Sequence, residues 1–320
     1  MQKAIGILTS GGDAPGMNAA VRAVTRAAIS RGYKVIGVQR GYNGLLDGET
    51  LELDERSVSN IIQRGGTVLY TARCDEFKEK EYQQKAVEKC IEMGVEGVVV
   101  MGGDGTFKGA AALSAGGIRC IGIPATIDND IVCTEYTIGF DTAMNTAVEM
   151  IDKLRDTAQS HDKCSVVEVM GRNAGWLALN VGLAVGATGI VVPEIKFDIN
   201  ALAAKMKRIQ QGRKQHFIIV FAEGCGNSSE FAAKLTELTG IETRDTVLGH
   251  VQRGGNPTVR DRNIASEMGY YAVELIDSGK SNRVVGLKNG SVFDVDIYEG
   301  LAMTKPFDER LYRIANEIAF

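Results

Sequence analysis

The chain has 320 residues, a length that suggests about two domains. Hydrophobic residues make up 44% and charged residues 24%, the balance of a soluble globular protein. The formal net charge is −4; no basic block invites nucleic acid, and no run of about 18 apolar residues could span a membrane.

Lys3 to Leu8 enters as an apolar strand, without the charged, apolar and small-residue zones of a signal peptide. The six cysteines (Cys74, Cys90, Cys120, Cys133, Cys164 and Cys225) show no C-x-x-C spacing, which argues against a disulfide framework or a zinc site. A reducing cytoplasm is the expected setting. Thr9 to Asn18 is a glycine loop, Ala19 to Ser30 a helix ended by Gly32, and Val35 to Val38 the next strand. Gly11-Gly12-x-x-x-Gly16 is not the G-x-G-x-x-G of a dinucleotide fold, which weakens a dehydrogenase reading. Gly65 to Cys74 reads as a turn, a short strand and a loop carrying Arg73. A lone loop arginine is usually solvated, but beside glycine loops Arg73 is a candidate phosphate clamp.

Tyr82 to Gly94 has helical spacing, with Val87, Cys90 and Ile91 on one face. Val98 to Met101 reads as a strand buried on both faces, followed by Gly102-Gly103-Asp104-Gly105-Thr106 and an Ala-rich helix from Phe107 to Leu113. Strand, glycine turn and helix let a polyphosphate approach backbone N–H groups. A carboxylate among phosphates needs a cation between them, so Asp104 points to Mg2+. The plainer alternative is a tight turn with Asp as helix cap. Cys120 to Pro124 is another strand, running into Ala125-Thr126-Ile127-Asp128-Asn129-Asp130. Ligands of open α/β sheets bind at such strand ends, although an Asx-rich turn is the simpler account of that loop alone. The loops at Gly11 to Asp13, Arg73, Asp104 and Asp128 are each read as following a parallel strand, on one edge of one sheet. Together they describe a nucleotide phosphate and Mg2+ site.

The βα rhythm continues with helices at Gly139 to Thr157, Ala174 to Val185, Ile199 to Gln211, Phe231 to Thr239 and Val259 to Ser278. Strands are expected at Val166 to Met170, Gly189 to Val192 and Phe217 to Ala222. Gly279-Lys280-Ser281 resembles the tail of a Walker A motif, but the required first glycine is Glu274, so a helix end is the better reading. Arg172, Arg244, His250 and Arg253 are cations on loops, suited to phosphate. Glu223, at a strand end, could accept bonds from sugar hydroxyls. One α/β domain holding a Mg–polyphosphate and another holding a phosphorylated polyol, sharing a cleft, is the simplest architecture.

The segments LTSGGDAPGMN, RGGTVLYTARC, GGDGT, TIDND, IGFDTA, EVMGR, AEG and LGHVQRGG together resemble the bacterial-type ATP-dependent 6-phosphofructokinase family over essentially the whole chain. The resemblance implies two Rossmann-like three-layer αβα domains with mainly parallel sheets and the active site in the cleft between them. An ATP/Mg-binding domain would span 1–139 plus 252–303, and a fructose 6-phosphate-binding domain 140–251 plus 304–320. It implies ATP as co-substrate, Mg2+ as cofactor, fructose 6-phosphate as acceptor, and a homotetramer whose sites a neighbouring subunit completes. On the matching positions, Asp128 would be the base, with Thr126 and Asp130 beside it and Gly12 and Arg172 assisting. Gly12, Arg73, Cys74, Gly103, Asp104, Gly105 and Thr106 would contact ATP, with Asp104 on the metal. Thr126, Ile127, Asp128, Lys163, Met170, Gly171, Arg172, Glu223, Arg244, His250, Val251, Gln252 and Arg253 would hold the sugar phosphate, Arg244 reaching in from the neighbour. Arg22, Arg26, Arg155, Lys214 and His216 match an effector site for ADP or phosphoenolpyruvate.

Several positions depart from the family pattern. Lys163 stands where arginine is usual, which implies weaker fructose 6-phosphate binding. Glu55, Thr188 and Gly212 replace residues of the effector site, which implies altered regulation. Ala125 replaces a more usual Gly. Pyrophosphate-using relatives resemble GGDDT with a Lys before TIDND; Gly105 and Ala125 here favour ATP. A pyrophosphate-dependent phosphofructokinase, a GGDGT kinase with another acceptor and a nucleotide sensor are the alternatives. The second would lack the His250–Arg253 pocket, and the third should have lost Asp104 or Asp128.

Overall fold

Short apolar runs alternating with amphipathic segments dictate a wound α/β chain. A computed structural model describes residues 3–212 and 216–319. In chain order its first elements are β1 (Ala4–Thr9), α1 (Met17–Ser30), β2 (Lys34–Val38), α2 (Gly41–Asp47), β3 (Thr50–Leu53), α3 (Lys80–Glu92), β4 (Val95–Gly102), α4 (Asp104–Ala115) and β5 (Arg119–Pro124). There follow α5 (Phe140–Ser160), β6 (Cys164–Val169), α6 (Trp176–Ala184), β7 (Gly189–Val191), α7 (Ile199–Gln211), β8 (Phe217–Ala222), α8 (Ser228–Thr239) and β9 (Thr243–Val247). The last are α9 (Val259–Asp277), β10 (Arg283–Lys288), β11 (Ser291–Asp296), α10 (Ile297–Ala302) and α11 (Glu309–Glu317).

The chain divides into two units: Met1–Ile127, Ile131–Thr142 and Arg253–Lys305 form the first, and Asp128–Asp130, Ala143–Gln252 and Pro306–Phe320 the second. The first is built on a seven-stranded sheet in the order β11-β10-β5-β4-β1-β2-β3. Its middle is parallel, with β1 between β2 and β4, while β3 and β11 pair antiparallel at the two edges. Val98 to Met101 are at most 2% exposed, as the unbroken apolar run requires of a strand covered on both faces. After α9 the chain rejoins this sheet, β10 lying parallel to β5 with Arg283 opposite Ile121. Helices α1 and α9 approach closely at Gly269, where a Cβ would lie 2.9 Å from Ala23 Cβ.

The second unit is built on a four-stranded parallel sheet, β7-β8-β6-β9. Its core gathers Cys164, Val166, Phe217, Ile219 and Phe221 from the strands with Leu202, Met206 and Leu235 from the helices. Two side-chain caps start the covering helices: Asp198 accepts from Asn200 N and Ala201 N, and Asn227 from Ser229 N and Glu230 N.

Several local readings need correction. The stretch expected as a strand within Gly65 to Cys74 is turn and bend. Side chains and scattered backbone bonds, not a ladder, satisfy its backbone. Asn18 Nδ2 donates to Arg64 O and Gly65 O at 3.1 Å each, and Asn18 Oδ1 accepts from Val68 N at 2.8 Å. Tyr70, at φ +54°, breaks any extended run there. The loop carrying Arg73 therefore follows no parallel strand. The short elements α2, β3, β9, β10, β11, α10 and α11 carry no counterpart among the sequence-based assignments, and Arg244, expected on a loop, lies in β9 opposite Ser165 of β6. Gly279, at φ +81° just after α9, is a helix end as read.

Candidate active site

In the first unit the loops after β1 and β4 lie side by side because their strands are neighbours. Ser10 N donates to Met101 O at 3.0 Å and Thr106 Oγ1 to Ser10 O at 3.2 Å. Gly102 is required here, since a Cβ would come within 2.4 Å of Ser10 O. The Arg73 loop joins them by other means. Gly11 N donates to Ala72 O at 3.3 Å, and Thr71 Oγ1 to Gly11 O at 2.9 Å. Arg73 itself is exposed, its carbonyl accepting from Asn43 Nδ2 at 3.1 Å. Cys74 is half-buried, and burial pushes its thiol up from the ordinary value.

Helix α4 opens on the glycine turn, with Gly103 as its N-cap residue and Asp104 in its first turn. Asp104 and Gly105 are exposed, and a Cβ at Gly105 would meet nothing within 4 Å. An anion could thus approach the helix N-terminus unhindered. The turn is braced from behind: buried Tyr42 donates to Thr106 O at 2.6 Å and stacks on Phe77 with ring centroids 4.2 Å apart.

Arg253 belongs to this same cluster. A Cβ on Gly12 would lie 2.3 Å from Arg253 Nη1, which is 3.6 Å from Asp13 Oδ1. The side chain is 18% exposed, and its Nε is buried without a hydrogen-bond partner. The sequence grouped Arg253 with His250; the fold lays its guanidinium over the β1 loop. Thr126 is half-buried in the first unit, its carbonyl accepting from Thr137 Oγ1 at 2.6 Å, and Ile127 is core.

The second unit holds the other cluster. Asp128 is completely buried, with Arg172 Nε 3.2 Å from its Oδ2. Arg172 sits at φ +53°, a left-handed conformation that costs a non-glycine residue about 1–3 kcal/mol and persists only when its surroundings impose it. Those surroundings are Glu223 and Gln252. Glu223 Oε1 accepts from Gly171 N at 3.0 Å and from Arg172 N at 2.6 Å. Buried Gln252 Oε1 accepts from Met170 N at 2.9 Å. One Glu223 oxygen, expected on a sugar hydroxyl, is therefore engaged by the Met170–Arg172 turn. Asp130 is half-buried. His250 and Val251 are exposed on the short helical turn Gly249–Arg253.

Lys163 and Arg244 share one partner. Lys163 Nζ lies 2.9 Å and Arg244 Nη2 2.8 Å from Glu242 Oε1. Hydrogen bonds from Lys163 and Arg244 hold the Glu242 carboxyl below its usual range. Of the effector candidates, Arg22 is half-buried, and Arg26 Nη2 donates to Glu55 O at 3.5 Å. Arg155 donates to Val185 O and half-buried His216 begins the approach to β8. Lys214 lies outside the described residues. Thr188 is buried and its carbonyl accepts from Lys205 Nζ at 3.1 Å.

Asn18, Tyr42 and Asp261 shape these clusters and escape sequence reading. Each sits in an ordinary helical context, and its role depends on which distant loop packs against it.

A family model described as phosphofructokinase matches residues 4–276. A Clostridium botulinum protein named ATP-dependent 6-phosphofructokinase is 55% identical over 316 residues, covering 98% of each chain. A Clostridium tetani protein of the same name is 54% identical over 99% of each. Among solved structures, phosphofructokinase from Saccharomyces cerevisiae superposes with a TM-score of 0.89 at 32% identity, and this chain spans 48% of that longer one. A pyrophosphate-dependent phosphofructokinase from Marinobacter aquaeolei has a TM-score of 0.84 at 22% identity, covering 97% of this chain and 86% of that one, a likeness of fold alone.

Proposed function

The chain belongs to the phosphofructokinase family, and on that premise we infer that it transfers the γ-phosphoryl group of ATP to O1 of fructose 6-phosphate. The products are fructose 1,6-bisphosphate and ADP, in the committed step of glycolysis. The observation that carries the reading at the level of residues is the buried Asp128 carboxylate against the Arg172 guanidinium, placed by the turn that Glu223 and Gln252 hold.

Phosphoryl transfer demands alignment and charge neutralisation more than covalent work by the protein. Asp128 takes the proton of the sugar 1-hydroxyl as that oxygen attacks, a role typically worth about 10²–10⁴ in rate. Thr126 and Asp130 flank it. Arg172 orients the Asp128 carboxylate and adds positive charge where the transferring group passes. Gly12 leaves room for the Arg253 guanidinium, which supplies a charge-assisted fork for phosphate. Arg73, Cys74 and the Gly103 to Thr106 turn hold ATP.

Mg2+ fits Asp104. The carboxylate is exposed in the first turn of α4, and among the described residues no three His, Cys, Asp or Glu side chains gather to cage a metal. A one-carboxylate site suits an ion that keeps phosphate oxygens and water as its other ligands. When bound there, Mg2+ neutralises charge on the phosphates during transfer. The open space beside Gly105 supports a nucleotide over pyrophosphate, because a side chain at 105 would fill it.

The sugar phosphate is held by Met170, Gly171, Arg172, Glu223, His250, Val251 and Gln252, with Ile127 contributing through its backbone. Lys163 and Arg244 act on the acceptor of a neighbouring copy in a homotetramer. In that reading Glu242 gives up its two cations when substrate arrives. In the cytoplasm, the first unit serves ATP and Mg2+, and the second, which includes Asp128 to Asp130 and Gln252, serves the sugar. This division moves the expected boundaries at 139/140, 251/252 and 303/304 by a few residues and reassigns 128–130. Control by ADP or phosphoenolpyruvate through Arg22, Arg26, Arg155, Lys214 and His216 is altered. What supports that is the side chains themselves: Glu55, Thr188 and Gly212 bring an acid, a hydroxyl and no side chain to positions of the effector site.

A coupled assay of fructose 1,6-bisphosphate formation with Mg2+ tests the reaction. Turnover with ATP and not with pyrophosphate is expected. Turnover with pyrophosphate would remove the reading of Gly105 and Ala125, and turnover with neither would remove fructose 6-phosphate as acceptor.

A further inference from the structure

Asp261 lies completely buried in the first turn of α9 and takes no part in the chemistry above. Its carboxylate accepts four hydrogen bonds, all from the segment 136–142. Oδ1 accepts from Tyr136 Oη at 2.6 Å and Gly139 N at 2.8 Å. Oδ2 accepts from Thr142 N at 2.9 Å and Thr142 Oγ1 at 2.5 Å. Burying a carboxylate is costly unless its oxygens are satisfied. Burial pushes the Asp261 carboxyl up, and these four donors oppose the shift. Its ring of partners is closed at the N-cap of α9, where Thr258 Oγ1 accepts from Asp261 N and Thr258 N donates to Thr142 Oγ1 at 3.0 Å.

The segment that Asp261 grips leads back to the candidate base. Ile138 N donates to Pro124 O at 3.0 Å, and Ile138 bridges to Ala125. Thr137 Oγ1 donates to Thr126 O at 2.6 Å. Residues 124–126 are thus tied to the segment, and the chain then runs through Ile127 to Asp128. The grip also extends to the β1 loop. A Cβ on Gly139 would come within 2.7 Å of Ala14 Cβ, and one on Gly16 within 2.6 Å of Ile138 Cγ2 and 3.5 Å of Asp261 Cβ.

We propose that Asp261 is a positioning residue for phosphoryl transfer: through Tyr136, Gly139 and Thr142 it fixes residues 124–126, and so where the Asp128 carboxylate sits. The proposal rests on the reading of Asp128 as base. The donor set explains why an acid is needed. Each Asp261 oxygen faces one backbone N–H, from Gly139 or Thr142, which cannot turn away. An asparagine amide, in either orientation, would set its own N–H2 against one of them. The hydroxyls of Tyr136 and Thr142 can rotate to compensate, but the backbone groups cannot. Asp261→Asn therefore loosens the segment without changing the volume of the core.

The test measures kcat and both KM values for Asp261→Asn, Tyr136→Phe and Thr142→Ser, alone and combined with Asp128→Ser, with folding checked by circular dichroism. Alone, Asp261→Asn should lower kcat at least tenfold and Tyr136→Phe about threefold, with KM for ATP and for fructose 6-phosphate within about twofold. Thr142→Ser, which keeps the hydroxyl, should stay near wild type. Combined with Asp128→Ser, Asp261→Asn should lower kcat no further, because there is no carboxylate left to position. Equal fold-losses with and without Asp128 would overturn the proposal, as would raised KM at unchanged kcat. If Asp261→Asn does not fold, the same comparisons apply to Tyr136→Phe. Near-wild-type turnover of Asp128→Ser alone would overturn the base reading and this proposal with it. That result is read from the single variant, so the two failures are distinct.

Discussion

Replacing Glu223 probes how a strained turn is kept in its working shape. Glu223 Oε1 accepts from two consecutive backbone N–H groups, Gly171 N at 3.0 Å and Arg172 N at 2.6 Å. Hydrogen bonds to a charged acceptor contribute about 1.5–3 kcal/mol each. Arg172 is exposed, so water replaces part of what is lost, and about 2–4 kcal/mol for the pair is the working figure. The Arg172 backbone, at φ +53°, stores about 1–3 kcal/mol that these bonds offset. Glu223→Ala should let the turn relax and carry the Arg172 side chain away from Asp128. If that energy is realised in the transition state, kcat/KM for fructose 6-phosphate falls by about 30- to 900-fold at saturating ATP. Glu223→Gln keeps a carbonyl oxygen in the same place with neutral bonds, and should cost about 5- to 30-fold. A loss under threefold for Glu223→Ala would refute the anchoring role. Equal losses for the two variants would show that the negative charge, acting on the sugar, matters and the backbone bonds do not.

Three further outcomes are expected. Gly12→Ala would place a Cβ 2.3 Å from Arg253 Nη1, the movable end of a long side chain. Stability by urea titration should therefore change by less than about 0.5 kcal/mol, while kcat/KM for ATP falls at least tenfold. Gly109→Ala would bring a Cβ within 2.5 Å of Tyr42 Cζ, part of a buried ring stacked on Phe77. Such overpacking should cost about 1–3 kcal/mol in the same titration, and an unchanged midpoint would contradict the brace assigned to Tyr42. Asp294 is the pH-sensitive case. Burial raises its carboxyl, but bonds from Tyr271 and Arg283 prevail and hold it below the ordinary value of 3.8. Its stabilising contribution is thus present above that pH and is lost as pH falls through the depressed value in the folded state. Asp294→Asn should show a shallower loss of stability on acidification, measured by thermal melts across that range.

The parts of the fold legible in the sequence were those with a strong local period. Ile199–Gln211 and Phe217–Ala222 are each where the pattern places them, because amphipathic spacing and an unbroken apolar run need no distant partner to be recognised. The stretch around Val68 misled because its apolar residues suit a strand while its backbone bonds go to Asn18, some 50 positions away. Helix α2 and strand β3 are too short for either period to register. At the site, GGDGT and TIDND announced themselves by acids in glycine-rich or Asx-rich turns. Arg253 was legible as a cation, but not its place over Gly12, which depends on how the chain returns to the first unit. Asp261 was illegible for the same reason. An acid in the first turn of a helix is expected from the helix dipole alone, and only the fold shows that segment 136–142 converges on it.

The central claim is that the Asp128 carboxylate takes the proton from the sugar. Its most direct test is kcat for Asp128→Ser with ATP, Mg2+ and saturating fructose 6-phosphate, beside the wild type. The account predicts a fall of about 10²–10⁴ with KM for ATP little changed. A variant that keeps more than a tenth of wild-type kcat would contradict it.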